Sequence, residues 1–218
     1  MLISVAGACS RSGKTALAET IVRGLAAEAP TAPSAVKFTT TDDVFERCPR
    51  GMPCVVCDID VPFRIVGDAA TLEQPDTDTA RLLGAGAARV IWVIAKRQAV
   101  GAAWAAVERD LPAAAPIVME GSTIVGETRP DHVFFVVHPQ LSTDRWKPSA
   151  SHLIESADLV VVNRPAGDSR PPSAQVLKRI EQSRRGPMVI ADAQRPMAEW
   201  APKMADAVRR ASPVSVAG

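Results

Sequence analysis

Short apolar runs alternate with longer segments of helical periodicity along most of the chain. The apolar runs predict β-strands at 2–6, 34–38, 63–66, 90–95, 116–119, 132–137, 159–162 and 187–191. The periodic segments predict helices at 16–29, 80–86, 98–111, 151–156, 173–185 and 197–210. Because the strands are apolar throughout, they are typical of a parallel sheet that is covered on both faces. We therefore predict an α/β fold of three layers, with a largely parallel central sheet flanked by helices.

Neither a repeat nor a long linker interrupts this alternation, so we expect residues 1–218 to form a single domain. Hydrophobic residues make up 47% of the chain, which is enough for a sizeable core. The net charge is +1, which gives no reason to expect a nucleic acid or an anionic membrane as partner. The first apolar run is too short for a signal peptide or a membrane span, so we expect a cytoplasmic protein.

The first predicted strand leads into a loop of small residues that ends in Gly13-Lys14-Thr15, and a predicted helix follows directly. This spacing is that of a phosphate-binding P-loop in which alanine replaces the first glycine. Small residues let backbone N–H groups turn toward phosphate oxygens, and a helix N-terminus adds a favourable dipole. We therefore predict that a nucleotide binds at Ala8, Ser10, Arg11, Ser12, Gly13, Lys14 and Thr15.

Ligands of parallel sheets bind at the carboxyl ends of the strands, and several candidate catalytic residues fall there. Lys14 is predicted to reach the β- and γ-phosphates, and the Thr15 hydroxyl to ligate Mg²⁺. Glu120 follows a buried strand, where a carboxylate can bind Mg²⁺ or orient the attacking water. Lys37 ends the second strand and can neutralise phosphate or substrate charge. Asp42, in the polar stretch after it, is a further candidate metal ligand or base.

Asn163 and Arg164 follow the apolar strand 159–162, at the same predicted edge. An amide offers a donor and an acceptor together, so Asn163 is a candidate for reading the nucleotide base. An asparagine is equally natural in a turn before proline. The choice between GTP and ATP stays open.

Cys48, Cys54 and Cys57 lie in a cysteine-rich insert at about 47–60. In a cytoplasmic chain such cysteines indicate free thiols or a metal site before disulfides. Three thiolates at this spacing suit Zn²⁺ or an iron–sulfur cluster, and the alternative is a loop of unliganded cysteines. Asp58, Asp60, a histidine or a second subunit would supply the fourth ligand, so a homodimer also stays open.

Several of these segments together resemble one known family. They are Gly13-Lys14-Thr15, Lys37, 78–81 with 84–87, and 117–121. They are similar to the molybdopterin-guanine dinucleotide biosynthesis protein B (MobB) family, which belongs to the SIMIBI branch of P-loop NTPases. The resemblance implies a P-loop NTPase fold and Mg²⁺-dependent hydrolysis of GTP or ATP in cofactor biosynthesis or metal delivery. It also implies a partner enzyme from that process, Lys37 near the phosphates and Glu120 near Mg²⁺.

Two other functions fit the same residues. One is an ATP-dependent ligase or small-molecule kinase that resembles dethiobiotin synthetase, with the phosphate acceptor held near Lys37. The other is a non-catalytic module that binds metal through its cysteines and uses nucleotide only for regulation. Turnover in the absence of an added acceptor separates the hydrolase from the transferase, and metal analysis identifies the binding module.

Overall fold

A central β-sheet organises the structure, a computed structural model that describes residues 1–41 and 59–211. The described strands are β1 (Leu2–Gly7), β2 (Ser34–Thr40), β3 (Phe63–Val66), β4 (Arg89–Ala95), β5 (Ile117–Glu120), β6 (His132–Val137), β7 (Leu159–Asn163) and β8 (Met188–Ala191). The α-helices are α1 (Lys14–Glu28), α2 (Ala69–Leu72), α3 (Asp78–Gly84), α4 (Val100–Glu108), α5 (Ala150–Ser156), α6 (Ala174–Glu181), α7 (Met197–Trp200) and α8 (Pro202–Ala211). Short 3₁₀ turns lie at Arg97–Ala99, Thr123–Glu127 and Thr143–Arg145.

The strands form one sheet in the order β3-β4-β2-β5-β1-β6-β7-β8. Every neighbouring pair is parallel except β3 and β4, which are antiparallel. The β1 strand lies between β5 and β6, so the loop that follows β1 emerges at the centre of the carboxyl edge. The predicted fold class, an α/β fold with a largely parallel central sheet, is confirmed.

Alternate residues of the strands pack into cores on opposite faces of the sheet. Ile3 and Val5 of β1 face a core that α1, α3, α7 and α8 complete. Ala6 faces the other side, where α5 and α6 cover one half of the sheet and α4 covers the other half. Helices therefore cover both faces of the sheet, and this explains why the strands are apolar throughout, as the sequence analysis inferred.

Three predicted helices differ from those observed, and the simplest case is α6, which ends at Glu181 although the prediction ran to residue 185. The segment predicted as one helix at 98–111 begins with the 3₁₀ turn Arg97–Ala99, and α4 then ends at Glu108. The closing helix predicted at 197–210 is interrupted between α7 and α8, because Ala201 adopts φ −142° and ψ 61° ahead of Pro202. A residue before proline is driven out of the helical region, which accounts for the break.

Part of the predicted insert cannot be placed in this fold. Asp42, Cys48, Cys54 and Cys57 all lie outside the described residues, so the predictions made for them stay predictions. Within the described ranges, no helix combines the length and the apolar character needed to cross a membrane.

Candidate functional site

The loop between β1 and α1 is tightly wound at the centre of the carboxyl edge. Gly13, which precedes the first residue of α1, adopts φ +100°, a left-handed conformation that favours glycine. A Cβ atom at Gly13 would lie 2.1 Å from Nδ2 of Asn163, and one at Gly7 would lie 2.4 Å from Oγ of Ser12. Glycine is therefore favoured at Gly13 by both conformation and space, whereas a larger residue at Gly7 would have to displace the side chains of Ser12 and Lys14.

The backbone of this loop presents hydrogen-bond donors. The N–H of Ala8 donates to the carbonyl of Val136, which ties the start of the loop to β6. By contrast, no described residue accepts a hydrogen bond from the backbone N–H groups of residues 10–14. These donors lie at the N-terminus of α1, where the helix dipole also favours an anion. The loop thus has the donors and the field that a phosphate group needs.

Lys14 adds a positive charge that is poorly compensated by its surroundings. Its Nζ donates to the carbonyl oxygen of Cys9 at 2.9 Å. Burial lowers the pKa of Lys14 to about 8; the charge of Glu120 opposes this shift, whereas the charges of Lys37 and Lys147 add to it. An anion beside Lys14 would favour its charged form. The lysine is therefore poised to gain from a bound phosphate.

A second group of polar side chains lies beside the loop and forms a connected network. The Thr15 hydroxyl donates to Oδ1 of Asp78 at 2.9 Å. Nζ of Lys37 lies 2.6 Å from Oδ2 of Asp78 and 2.5 Å from Oε1 of Glu120. Strand register explains the second contact, because Lys37 of β2 and Glu120 of β5 are paired residues in the parallel ladder. Lys37 thus bridges two carboxylates.

Charge compensation inside this network shifts its pKa values. Burial acts to lower the pKa of Lys37, but the charges of Glu120 and Asp78 outweigh it and raise the pKa above its usual value. Burial acts to raise the pKa of Asp78. The positive charge of Lys37 and the hydrogen bonds that Lys37 and Thr15 donate outweigh this effect and lower the pKa. Glu120 is only 1% exposed, and its Oε2 atom has no hydrogen-bond partner among the described residues.

The oxygen atoms of this network fit Mg²⁺. Thr15, Asp78 and Glu120 supply a hydroxyl and two carboxylates, which are ligands that Mg²⁺ prefers. The described residues contain no group of three or more histidine, cysteine, aspartate or glutamate side chains that could hold a metal. Mg²⁺ bound here would therefore be shared between one or two carboxylates and substrate phosphates, as is common for this ion.

Asp78 is the site residue for which the sequence analysis assigned no role. It stands in the first turn of α3, after Thr77, whose hydroxyl accepts from the N–H of Ala80 and caps the helix. That local pattern is sufficient to explain an acidic residue at this position. The contact with Thr15 spans 63 residues and depends on how α3 packs beside α1. Asp78 belongs to the segment 78–81, which carried part of the family resemblance. That resemblance was the one feature of the sequence that could have indicated a functional role for Asp78.

Asn163 lies beneath the loop instead of in an open position. It is 7% exposed, its Oδ1 accepts from the N–H of Ala193 at 3.0 Å, and its amide nitrogen is directed toward Gly13. The backbone N–H of Arg164 donates to the carbonyl of Ala191. This geometry favours a role for Asn163 in positioning the loop, and the predicted reading of the base by Asn163 and Arg164 stays a prediction.

The comparisons with known proteins give a distant structural likeness and no sequence match. No protein-family model matches the chain, and no curated protein matches its sequence. Among solved structures, the chain is similar to a ParA family ATPase from Chlorobium tepidum TLS, with 13% sequence identity and a TM-score of 0.45. The alignment covers 96% of each chain. A likeness this distant does not identify a family, so the resemblance seen in the sequence segments stays a prediction.

Proposed function

We propose that this chain binds a nucleoside triphosphate together with Mg²⁺ at the loop 8–15 and hydrolyses its terminal phosphate. One observation carries the proposal: Thr15 contacts Asp78 at 2.9 Å, and Lys37 links Asp78 to Glu120 at 2.6 and 2.5 Å, directly beside a helix N-terminus that offers backbone donors. Phosphoryl transfer depends mainly on positioning and charge neutralisation, and these residues can supply both.

Each side chain of the site has a separate task in this proposal. The loop N–H groups and Lys14 hold the β- and γ-phosphates, while Thr15 and Asp78 hold the metal. Mg²⁺ supplies neutralisation of the charge on the phosphate oxygens. Glu120 orients the attacking water through Oε2, the atom that has no described partner. Lys37 holds the two carboxylates close together despite their mutual repulsion.

We also propose a biological process for this hydrolysis. The resemblance to the molybdopterin-guanine dinucleotide biosynthesis protein B family supports a role for the hydrolysis in cofactor biosynthesis or metal delivery, with an enzyme of that process as partner. The cysteines at 48, 54 and 57 are the candidate ligands for Zn²⁺ or an iron–sulfur cluster in such a role. Elemental analysis of anaerobically purified protein, beside a triple Cys→Ser variant, tests that part separately.

Release of inorganic phosphate from ATP and from GTP, with Mg²⁺ and with a chelator, tests the proposal. We expect Mg²⁺-dependent turnover by the wild type and a fall of about 100-fold in Glu120→Gln, since one positioned acid–base group contributes about that much. Nucleotide affinity should change little, because the loop contacts remain. Glu108→Gln is the matched control, because Glu108 is exposed at the end of α4.

Two outcomes would contradict the proposal. Wild-type turnover in Glu120→Gln would show that this glutamate is an ordinary strand-end residue. Turnover that requires an added acceptor would favour the ligase or kinase alternative over hydrolysis.

A further inference from the structure

Ser122 is a buried residue that lies just beyond Glu120, the glutamate proposed to orient the attacking water. It is 6% exposed and follows Gly121 in the segment that leaves β5. Its Oγ accepts a hydrogen bond from the N–H of Gly7 at 3.1 Å and donates one to the carbonyl oxygen of Gly7 at 3.0 Å. One side chain thus bonds to both backbone polar groups of a residue 115 positions away in the chain.

Gly7, the residue that Ser122 holds, packs directly against the phosphate-binding loop. A Cβ atom at Gly7 would lie 2.7 Å from Cγ and 3.0 Å from Cδ of Lys14. It would also lie 2.4 Å from Oγ of Ser12, which is fully buried. Because no gap separates these groups, a displacement of the Gly7 backbone would be passed on to both side chains. The hydrogen bonds of Ser122 therefore help to fix the position of Lys14.

On its other side, Ser122 is joined to Glu120 by a segment that has little room to move. The N–H of Gly121 donates to the carbonyl of Val5 at 3.1 Å, so the segment is still fastened to β1 beyond the last residue of β5. A Cβ atom at Gly121 would lie 2.8 Å from Cβ and 3.2 Å from the carbonyl oxygen of Phe38 in β2. The segment is thus held closely between β1 and β2, and the position of Ser122 is tied to that of Glu120.

We propose that Ser122 is a positioning residue, which sets the distance between Glu120 and the phosphate-binding loop that carries Lys14. The inference rests on the proposed hydrolysis and adds a residue that acts through Gly7 and Glu120. Phosphoryl transfer depends on where the nucleophile lies relative to the bound phosphate. Lys14 and the loop determine the position of the phosphate, and Glu120 determines that of the water. The hydroxyl of Ser122 is the link that keeps the two in register.

Steady-state kinetics of Ser122→Ala with ATP or GTP, whichever the wild type hydrolyses, test this role. We expect kcat to fall about tenfold, the size of effect that one lost hydrogen bond produces. KM should change less than about twofold, because the loop keeps its own contacts to the phosphates. Ser149→Ala is the matched control, because Ser149 is exposed at the residue before α5. Circular dichroism checks that each variant is folded.

Ser122→Cys is a second variant, which keeps the volume of the side chain but forms only weak hydrogen bonds. It should show the same separation between kcat and KM. This variant tests the role of the hydroxyl even where the alanine variant does not fold.

A double-mutant cycle separates positioning from a general loss of structure. In the Glu120→Gln background, Ser122→Ala should lower kcat by less than about twofold further, since the group that it positions is already lost. A merely structural residue would cause the same loss of kcat in both backgrounds. Equal losses in the two backgrounds, unchanged kcat in Ser122→Ala, or a loss that lies in KM alone would overturn this inference and leave the proposed hydrolysis intact. Absence of turnover in the wild type would overturn both.

Discussion

Two lysines lie at the same edge of the sheet and respond to burial in opposite ways. Lys14 in the loop has a backbone carbonyl as its hydrogen-bond partner, and burial lowers its pKa to about 8. Lys37 in the middle of β2 contacts two carboxylates, which outweigh burial and raise its pKa. A buried charge is stable only when it is compensated; the protein compensates Lys37, and the proposed phosphate would compensate Lys14.

The difference separates a structural role from a binding role. Lys37 neutralises carboxylates that would otherwise repel each other, so it contributes to the stability of the network. The charged form of Lys14 is penalised by burial, so we expect Lys14 to contribute little to stability and much to the proposed phosphate binding.

The largest effect is expected from replacing each lysine by methionine. Lys37→Met leaves Glu120 buried without its partner, and we expect a loss of about 3 kcal/mol in the free energy of unfolding. Lys14→Met removes a charge that burial penalises, so its free energy of unfolding should be unchanged or higher at pH 7. Urea denaturation of the two variants measures both. Equal losses would show that the two lysines do not differ as described.

A smaller loss is expected at Gly13. An alanine there must adopt φ +100° and meets the amide of Asn163, so Gly13→Ala should cost about 2 kcal/mol and weaken nucleotide binding. In the double variant Gly13→Ala/Asn163→Ala, the clash with the Asn163 amide is removed, so part of the lost stability should return. The cost of the left-handed conformation at residue 13 should remain.

Gly24→Ala is the matched control. Gly24 lies inside α1 with open space around it, so alanine should stabilise the protein by about 0.5–1 kcal/mol. A stabilising effect of Gly13→Ala would contradict the account of the loop. A changed preference between ATP and GTP in Asn163→Ala alone would favour the base-reading role of that residue instead.

The smallest effect is a change in proton binding. Because the pKa of Lys14 is lowered to about 8, the unfolded chain keeps this proton to higher pH than the native chain. Its contribution therefore makes stability rise as pH increases from about 8 toward the ordinary pKa of lysine, 10.5.

Triphosphate binding should restore the charge of Lys14, with uptake of about half a proton at pH 8 and close to none at pH 6.5. Calorimetric titration in buffers of different ionisation enthalpy measures this uptake. Proton release at pH 8, or uptake that does not depend on pH, would contradict the environment described for Lys14.

The sequence predicted the fold well because local pattern determines most of it. Continuous apolar strands located the sheet, and the motif spacing with the strand before it and the helix after it located the β1–α1 loop. The contact between Lys37 and Glu120 could be predicted only in part. The sequence placed both residues near the carboxyl edge of the sheet, but it did not specify the strand register that pairs them. Asp78 was missed because its approach to Thr15 is a consequence of how two helices pack. The antiparallel direction of β3 is likewise set by its pairing with β4, and the sequence of its four residues does not predict it.

The central claim is that the loop 8–15 binds a triphosphate through Lys14. Calorimetric titration of the wild type and of Lys14→Ala with ATP and GTP, in the presence of Mg²⁺, tests it most directly, with exposed Lys178→Ala as control. The account predicts that Lys14→Ala, still folded by circular dichroism, loses at least about 100-fold in affinity, as expected when a buried charged contact to phosphate is removed. Wild-type affinity in a folded Lys14→Ala variant would contradict it.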